Sequence, residues 1–229
     1  MSLSKECVVC FGVSSGYKRP EYKRVEFEKG VARLRDNIER LGYDFMGWDG
    51  EWPKDWSSMR SCPYGFKFYA IKEAWERGYE YVLWADSSMT FSRAALERYF
   101  SKIKEDGYFF QGKKGKIKCS PYTAEYFGYP IEKIQGLQGV RGTYFGLSSE
   151  SPVTMKFFNR IFELTKTGDT FRGTEELENF DLNAHWKDHR ADQTVITLLA
   201  NEMGLKIASP PGYGVKIDRS YVRGKYAIE

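Results

Sequence analysis

Tyr79-Glu80-Tyr81-Val82-Leu83-Trp84-Ala85-Asp86-Ser87-Ser88 is the stretch on which the fold turns. Aromatic and β-branched residues run to Ala85 and polarity then arrives abruptly. The segment therefore reads as a buried strand whose carboxyl end delivers Asp86. Just upstream, Phe68, Ile71 and Trp75 place a helix over about 64–77, and Gly78 stops it.

Working outward, strand and helix keep alternating. Cys7–Val13 is a short apolar run ended by Ser14-Ser15-Gly16 and reads as a first strand. Val31, Leu34, Ile38 and Leu41 follow at helical spacing, closed by Gly42, and Tyr43–Trp48 is a second strand. Residues 49–63 fit no period and read as a loop holding Trp52 and Trp56. Downstream, Ser92 caps a helix over about 92–104, and Tyr108–Gln111 is a strand before the basic turn Lys113-Lys114-Gly115-Lys116. Ser120-Pro121 and Ser151-Pro152 each open a helix, and Gly139–Leu147 is a glycine-interrupted strand between them. Residues 167–187 are polar and irregular, a last helix covers about 189–203, and Leu205–Ala208 is a final strand. Such alternation predicts a three-layer α/β/α, Rossmann-like architecture with a mainly parallel, mixed central sheet and right-handed crossovers. With no linker in view, residues 1–229 are expected to form one domain, with 209–229 a basic, aromatic tail.

Composition narrows the function classes. Of 229 residues, 41% are hydrophobic and 29% charged, as in an ordinary soluble globular protein. A net charge of +4 is too mild for a dedicated nucleic-acid binder, although salt-sensitive binding through the basic tail stays open as a minor reading. No apolar run is long enough to cross a bilayer, and Lys5 and Glu6 interrupt any signal-peptide core, so a cytoplasmic protein with free thiols is expected. Cys7 and Cys10 are spaced like a metal or redox pair, but on a strand they point to opposite faces and their sulfurs cannot converge. Neither a G-x-G-x-x-G nor a P-loop is present. The 17% aromatic content mostly builds core, with Trp52, Trp56, Tyr122 and Tyr126 as candidate sugar-stacking faces.

Open α/β sheets bind ligands outside the carboxyl ends of their strands. That rule selects Ser14, Ser15, Tyr17 and Arg19 after the first strand, and Asp86-Ser87-Ser88 after the third. A strand-terminal aspartate can hold a hard cation or simply cap its turn, and position alone leaves both open.

Pro63-Tyr64-Gly65-Phe66-Lys67, Ala70–Ala74 and Tyr81–Ser88 resemble the approach to the Asp-x-Asp motif of GT-A-fold glycosyltransferases. His189-Arg190-Ala191-Asp192-Gln193 is similar to the Asp-Gln element of those enzymes, and Gly139–Gly146 to their acceptor-side strand. The likeness covers residues 5–208 in element order. It implies a GT-A-type transferase moving a sugar from a nucleotide-sugar donor to a saccharide or other hydroxyl acceptor. Implied donor contacts are Ser14, Ser15, Tyr17, Arg19, Lys67, Asp86, Ser87, Arg141 and His189, with Asp192 and Gln193 as catalytic residues. A manganese or magnesium ion would sit on Asp86 and Ser88. Ser88 stands where the motif has its second carboxylate, which lowers the expected metal affinity and leaves an inactive nucleotide- or glycan-binding module as the alternative. His185, His189 and Asp192 would share one face of a continuous helix as a metal site, but Asp188 reads as a helix start between the histidines. Basic clusters at Lys18–Arg24, Lys113–Lys118 and Lys216–Lys225 are mostly solvated turns, the first and last also being candidate cations for a departing diphosphate.

Overall fold

In a computed structural model, residues 5–13, 26–178, 180, 188–209 and 214–217 are described. One five-stranded sheet organises them, in the order β2-β1-β3-β6-β5. β1 (Glu6–Phe11) lies between β2 (Asp44–Trp48) and β3 (Tyr81–Ala85), parallel to both. β6 (Gly139–Ser148) runs antiparallel to β3 and to β5 (Tyr108–Lys113). The carboxyl ends of β1, β2, β3 and β5 and the start of β6 therefore share one edge. This is the expected mixed, mainly parallel α/β sheet.

Each face carries its own core. Val8, Cys10 and Leu83 point to the face covered by α1 (Phe27–Arg40) and α3 (Arg93–Asp106), through Val31, Leu34, Ile38, Leu96, Phe100 and Ile103. Cys7, Val9, Val82 and Trp84 point to the other face. There they meet α2 (Phe66–Glu76), α6 (Pro152–Thr167) and α8 (Ala191–Glu202), by way of Phe68, Ile71, Phe157, Ile161, Val195 and Leu198. Cys7 and Cys10 thus sit in opposite cores as pleat geometry requires, and all four cysteines are free. α4 (Pro121–Tyr126), α5 (Ile131–Ile134) and α7 (Asp169–Arg172) are short connectors. Ser92, Ser120 and Ser151 cap their helices as expected, each side chain accepting a backbone N–H of the first turn.

Several expectations need correction. Met89–Phe91 is a short strand, β4, and Val215–Ile217 pairs antiparallel with it as β7, so part of the expected tail is tied to the fold. Leu205–Ala208 forms only a bridge from Ala208 to Gln111, because Lys206 donates its N–H to the Tyr108 hydroxyl (3.0 Å) rather than to a ladder. The last helix begins at Ala191 with Arg190 in the N-cap position, not at Asp188. Trp52 and Trp56 pack edge-on or tilted against Phe11, and Trp56 also against Trp48, as extensions of the core rather than open sugar platforms. No described helix is long and apolar enough to cross a membrane.

Candidate active site

Three chain segments that lie far apart in sequence meet at the shared sheet edge. α2 contributes Lys67 from its first turn, the end of β3 contributes Asp86, and the head of α8 contributes Asp192. The Lys67 ammonium, 3% exposed, lies 2.7 Å from Asp192 Oδ2 and 3.2 Å from Asp86 Oδ1. It also donates to the Gly142 carbonyl of β6 at 2.7 Å. The Gly142 carbonyl takes a hydrogen bond, the two carboxylates are ion-paired with the ammonium, and the buried Asp192 Oδ2 has no hydrogen-bond partner among the described residues. The Tyr64 and Trp84 rings flank it with centroids 5.5 and 5.2 Å from Nζ.

Asp86 is held by more than Lys67. Its N–H donates to the Thr143 carbonyl (2.8 Å), its carbonyl accepts from Met89 N–H (2.9 Å), and Oδ1 accepts from the Trp84 indole (2.9 Å). Its side chain is still 32% exposed, so this is the carboxylate that faces outward. Asp192, 7% exposed, is the inner one. A Cβ on Gly142 would lie 2.6 Å from Asp192 Oδ2, so only glycine allows this close passage of β6.

Electrostatics follow from that arrangement. Burial lowers the Lys67 pKa, but the two carboxylates outweigh it and the net shift is upward, so the ammonium is retained. Burial pushes the Asp192 carboxyl above its usual range, against the pull of Lys67 and with a smaller push from Asp86. One cation shared by two carboxylates leaves the buried acid short of compensation.

Backbone strain marks the same spot. Tyr64 (φ 64°) and Ala191 (φ 37°) are the non-glycine residues with positive φ among those described. One lies three residues before Lys67 and the other immediately before Asp192. Such conformations cost on the order of 1–3 kcal/mol each and persist where surrounding structure imposes them, often at working sites.

Of the other expected site residues, none that is described joins this bridge. Ser14, Ser15, Tyr17 and Arg19 lie outside the described residues, as does His185. Lys67 is buried and ion-paired within the protein to Asp86 and Asp192. His189 is 2% exposed; its Nδ1 accepts from Ser120 N–H (3.2 Å) and its Nε2 lies 2.9 Å from the Thr170 carbonyl. It latches two loops and has no ring nitrogen left for a ligand. The Gln193 amide donates to the Val140 carbonyl (2.9 Å), fixing β6 against α8. Ser87 and Ser88 are buried in the turn after β3, where Arg33 Nη2 donates to the Ser87 carbonyl (3.3 Å). Arg141 lies at the start of β6, its Nε donating to the Gly112 carbonyl (3.4 Å).

These side chains do not fit a resident divalent cation. One oxygen each of Asp86 and Asp192 already lies on an ammonium, Ser88 supplies no charge, and no group of three or more His, Cys, Asp or Glu is placed to hold a metal among the described residues. Sequence reasoning selected Lys67, Asp86 and Asp192 but missed their bridge and the Trp84 indole donor. The only sequence sign of the latter was a tryptophan two residues before the aspartate, on the same strand face.

No protein-family model matches the chain, and no curated protein matches it. Among solved structures, a protein assigned as a nucleotide-diphospho-sugar transferase from Desulfovibrio desulfuricans G20 is 11% identical with a TM-score of 0.45, over 91% of this chain and 80% of that one. The bifunctional IspDF of Campylobacter jejuni is 11% identical with a TM-score of 0.42, over 91% of this chain and 50% of that one. A glycosyltransferase involved in glycosylating the major capsid of PBCV-1 is 10% identical with a TM-score of 0.39. The match covers 69% of this chain and 65% of that glycosyltransferase, just under two thirds of its length. Likenesses at these scores decide neither family nor activity.

Proposed function

We propose that the chain is a GT-A-type glycosyltransferase, moving a sugar from a nucleotide-sugar donor to a hydroxyl of a saccharide acceptor. The observation that carries this reading is the Lys67 bridge, which fixes Asp86 and Asp192 together at the ligand-binding edge of the sheet. Asp86, the outward carboxylate, accepts hydrogen bonds from hydroxyls of the donor sugar and orients its anomeric carbon. Asp192 and Gln193 act from behind: Asp192 holds Lys67, and Gln193 holds the β6 backbone on which Gly142 lies. Ser14, Ser15, Tyr17 and Arg19, which follow Val13 in the sequence and lie outside the described residues, are proposed nucleotide contacts, with Lys18 and Arg19 offsetting charge on the departing diphosphate. No step is routed through a divalent cation, because the donor set does not favour one.

The same bridge favours a second reading, a module that binds nucleotide or glycan without chemistry, since both carboxylates are engaged internally. Release of nucleoside diphosphate from a panel of nucleotide sugars, followed with manganese and with EDTA, separates the readings. Turnover that persists in EDTA is expected. Binding with no turnover under either condition favours the module, and turnover that requires manganese restores a metal on Asp86 and Ser88.

A further inference from the structure

The connector α7 is only four residues long, yet it touches both chain segments that lead into the Lys67 bridge. Arg172, buried at its end, donates from Nη1 to the Ser61 carbonyl and to the Thr167 carbonyl (3.0 Å), with Nη2 paired to Asp169. The Thr170 carbonyl accepts from Thr123 Oγ1 of α4 (3.0 Å) and lies 2.9 Å from His189 Nε2. Because His189 Nδ1 accepts the Ser120 N–H, Nε2 carries the ring proton and donates it to that carbonyl. Phe171 packs edge-on against Phe68, the residue after Lys67, with ring centroids 6.1 Å apart. The glycines flanking α7 are pressed against the same two segments. A Cβ on Gly168 would clash with the Ser61 carbonyl oxygen, and one on Gly173 would lie 3.1 Å from His189 Cγ.

The backbone strain of the site lies between these anchors and the bridge. Ser61 leads through Tyr64 (φ 64°) to Lys67, and His189 leads through Ala191 (φ 37°) to Asp192. Such conformations persist where contacts on either side impose them. On both paths the inner contact is the Lys67–Asp192 pair (2.7 Å), and the outer one is α7. The Arg172 N–H donates to the Gly168 carbonyl (2.8 Å) and the Gly173 N–H to the Asp169 carbonyl (2.7 Å), which closes α7 on itself and fixes the spacing of its outer contacts. Resting on the glycosyltransferase reading for its kinetic consequence, we propose that α7 is a yoke that sets the Lys67–Asp192 contact, with Arg172 and His189 as positioning residues for sugar transfer.

His189→Gln and His189→Asn, made in the full chain, divide the latch into its two arms. A glutamine amide keeps a donor for Thr170 and loses the acceptor for Ser120, whereas an asparagine oxygen does the reverse. Each variant gives up one hydrogen bond, so their melting temperatures should fall alike. Only His189→Asn should lower kcat for nucleoside diphosphate release, by about tenfold or more with KM within about twofold, because a small misplacement acts on rate. Arg172→Gln should do the same from the Lys67 side. Lys67, buried and paired, should give a slowly exchanging ammonium signal in proton–nitrogen NMR, which Lys67→Met assigns. His189→Asn and Arg172→Gln should shift or lose that signal, and His189→Gln should keep it. An unchanged signal in the folded variants overturns the proposal whatever the kinetics, and so does an unchanged kcat in His189→Asn. Equal losses in His189→Gln and His189→Asn also overturn it, being the mark of a merely structural latch, and a loss in His189→Gln alone assigns the role to the Ser120 arm instead. If the signal follows the expected order while no chain, parent included, turns over a nucleotide sugar, the transferase reading fails and the yoke stands. If the variants do not fold, amide exchange in the parent chain decides. Protection of the Arg172 and Gly173 N–H groups as strong as in the sheet supports the yoke, and exchange as fast as in an exposed loop overturns it.

Discussion

The two charged groups at the sheet edge are built on opposite principles. Around Lys67, one buried cation meets two carboxylates and a carbonyl, so negative charge exceeds positive. Around Lys113, burial and then Arg190, Lys118 and Arg141 lower the ammonium pKa, and its Nζ donates only to the Lys116 carbonyl of its own turn (3.0 Å) among the described residues. A buried cation between two carboxylates fixes geometry, whereas neighbouring cations on a surface turn do not. On this view the first group is the frame of the proposed site and the second lies outside that frame.

The sharpest way to break that contrast is to remove the central cation. Lys67→Met should cost about 3–5 kcal/mol in chemical denaturation, because it strands a buried carboxylate beside another. A cost near zero would mean that the bridge frames nothing. The difference between wild type and this variant should also depend on pH. The folded Lys67 pKa lies above its ordinary value of 10.5, so its stabilisation is fully present below that value and is lost as pH rises through the folded pKa. Gly142→Ala comes next. Its added methyl would sit 2.6 Å from Asp192 Oδ2, and displacing that carboxylate should cost about 1–3 kcal/mol with a fall in turnover. Activity should fail on the acid side as pH falls through the raised Asp192 pKa, above 3.8, because protonation there loosens the hold on Lys67. A pH–rate profile of donor turnover checks this, and Asp192→Asn should remove the limb. Smallest of all, Lys113→Gln should leave stability within about 0.5 kcal/mol or raise it slightly, since it relieves repulsion. A large loss there would place Lys113 in the frame instead.

Much of the frame was legible in sequence. The abrupt change after Ala85 placed Asp86 at a strand end, period-two alternation separated Cys7 from Cys10, and serine caps marked three helix starts. What escaped depends on contacts distant in sequence. Lys67 reads as a donor contact by resemblance, and its ion pairs emerge only once β3, β6 and α8 close around it. His189 and Gln193 look like ligand contacts in a polar motif, yet backbone groups of the α4 and α7 connectors and of β6 needed partners and took them. The short β4–β7 pair left no pattern because three-residue strands carry too few alternations to detect.

Asp86→Asn offers the most direct trial, since it removes one charge from the outward-facing group while keeping shape and leaving Oδ1 able to accept the Trp84 indole. With folding verified, nucleoside diphosphate release from the preferred donor should fall by at least about a hundredfold against the parent chain. An unchanged release rate would show that sugar transfer, if it occurs, happens somewhere other than this carboxylate.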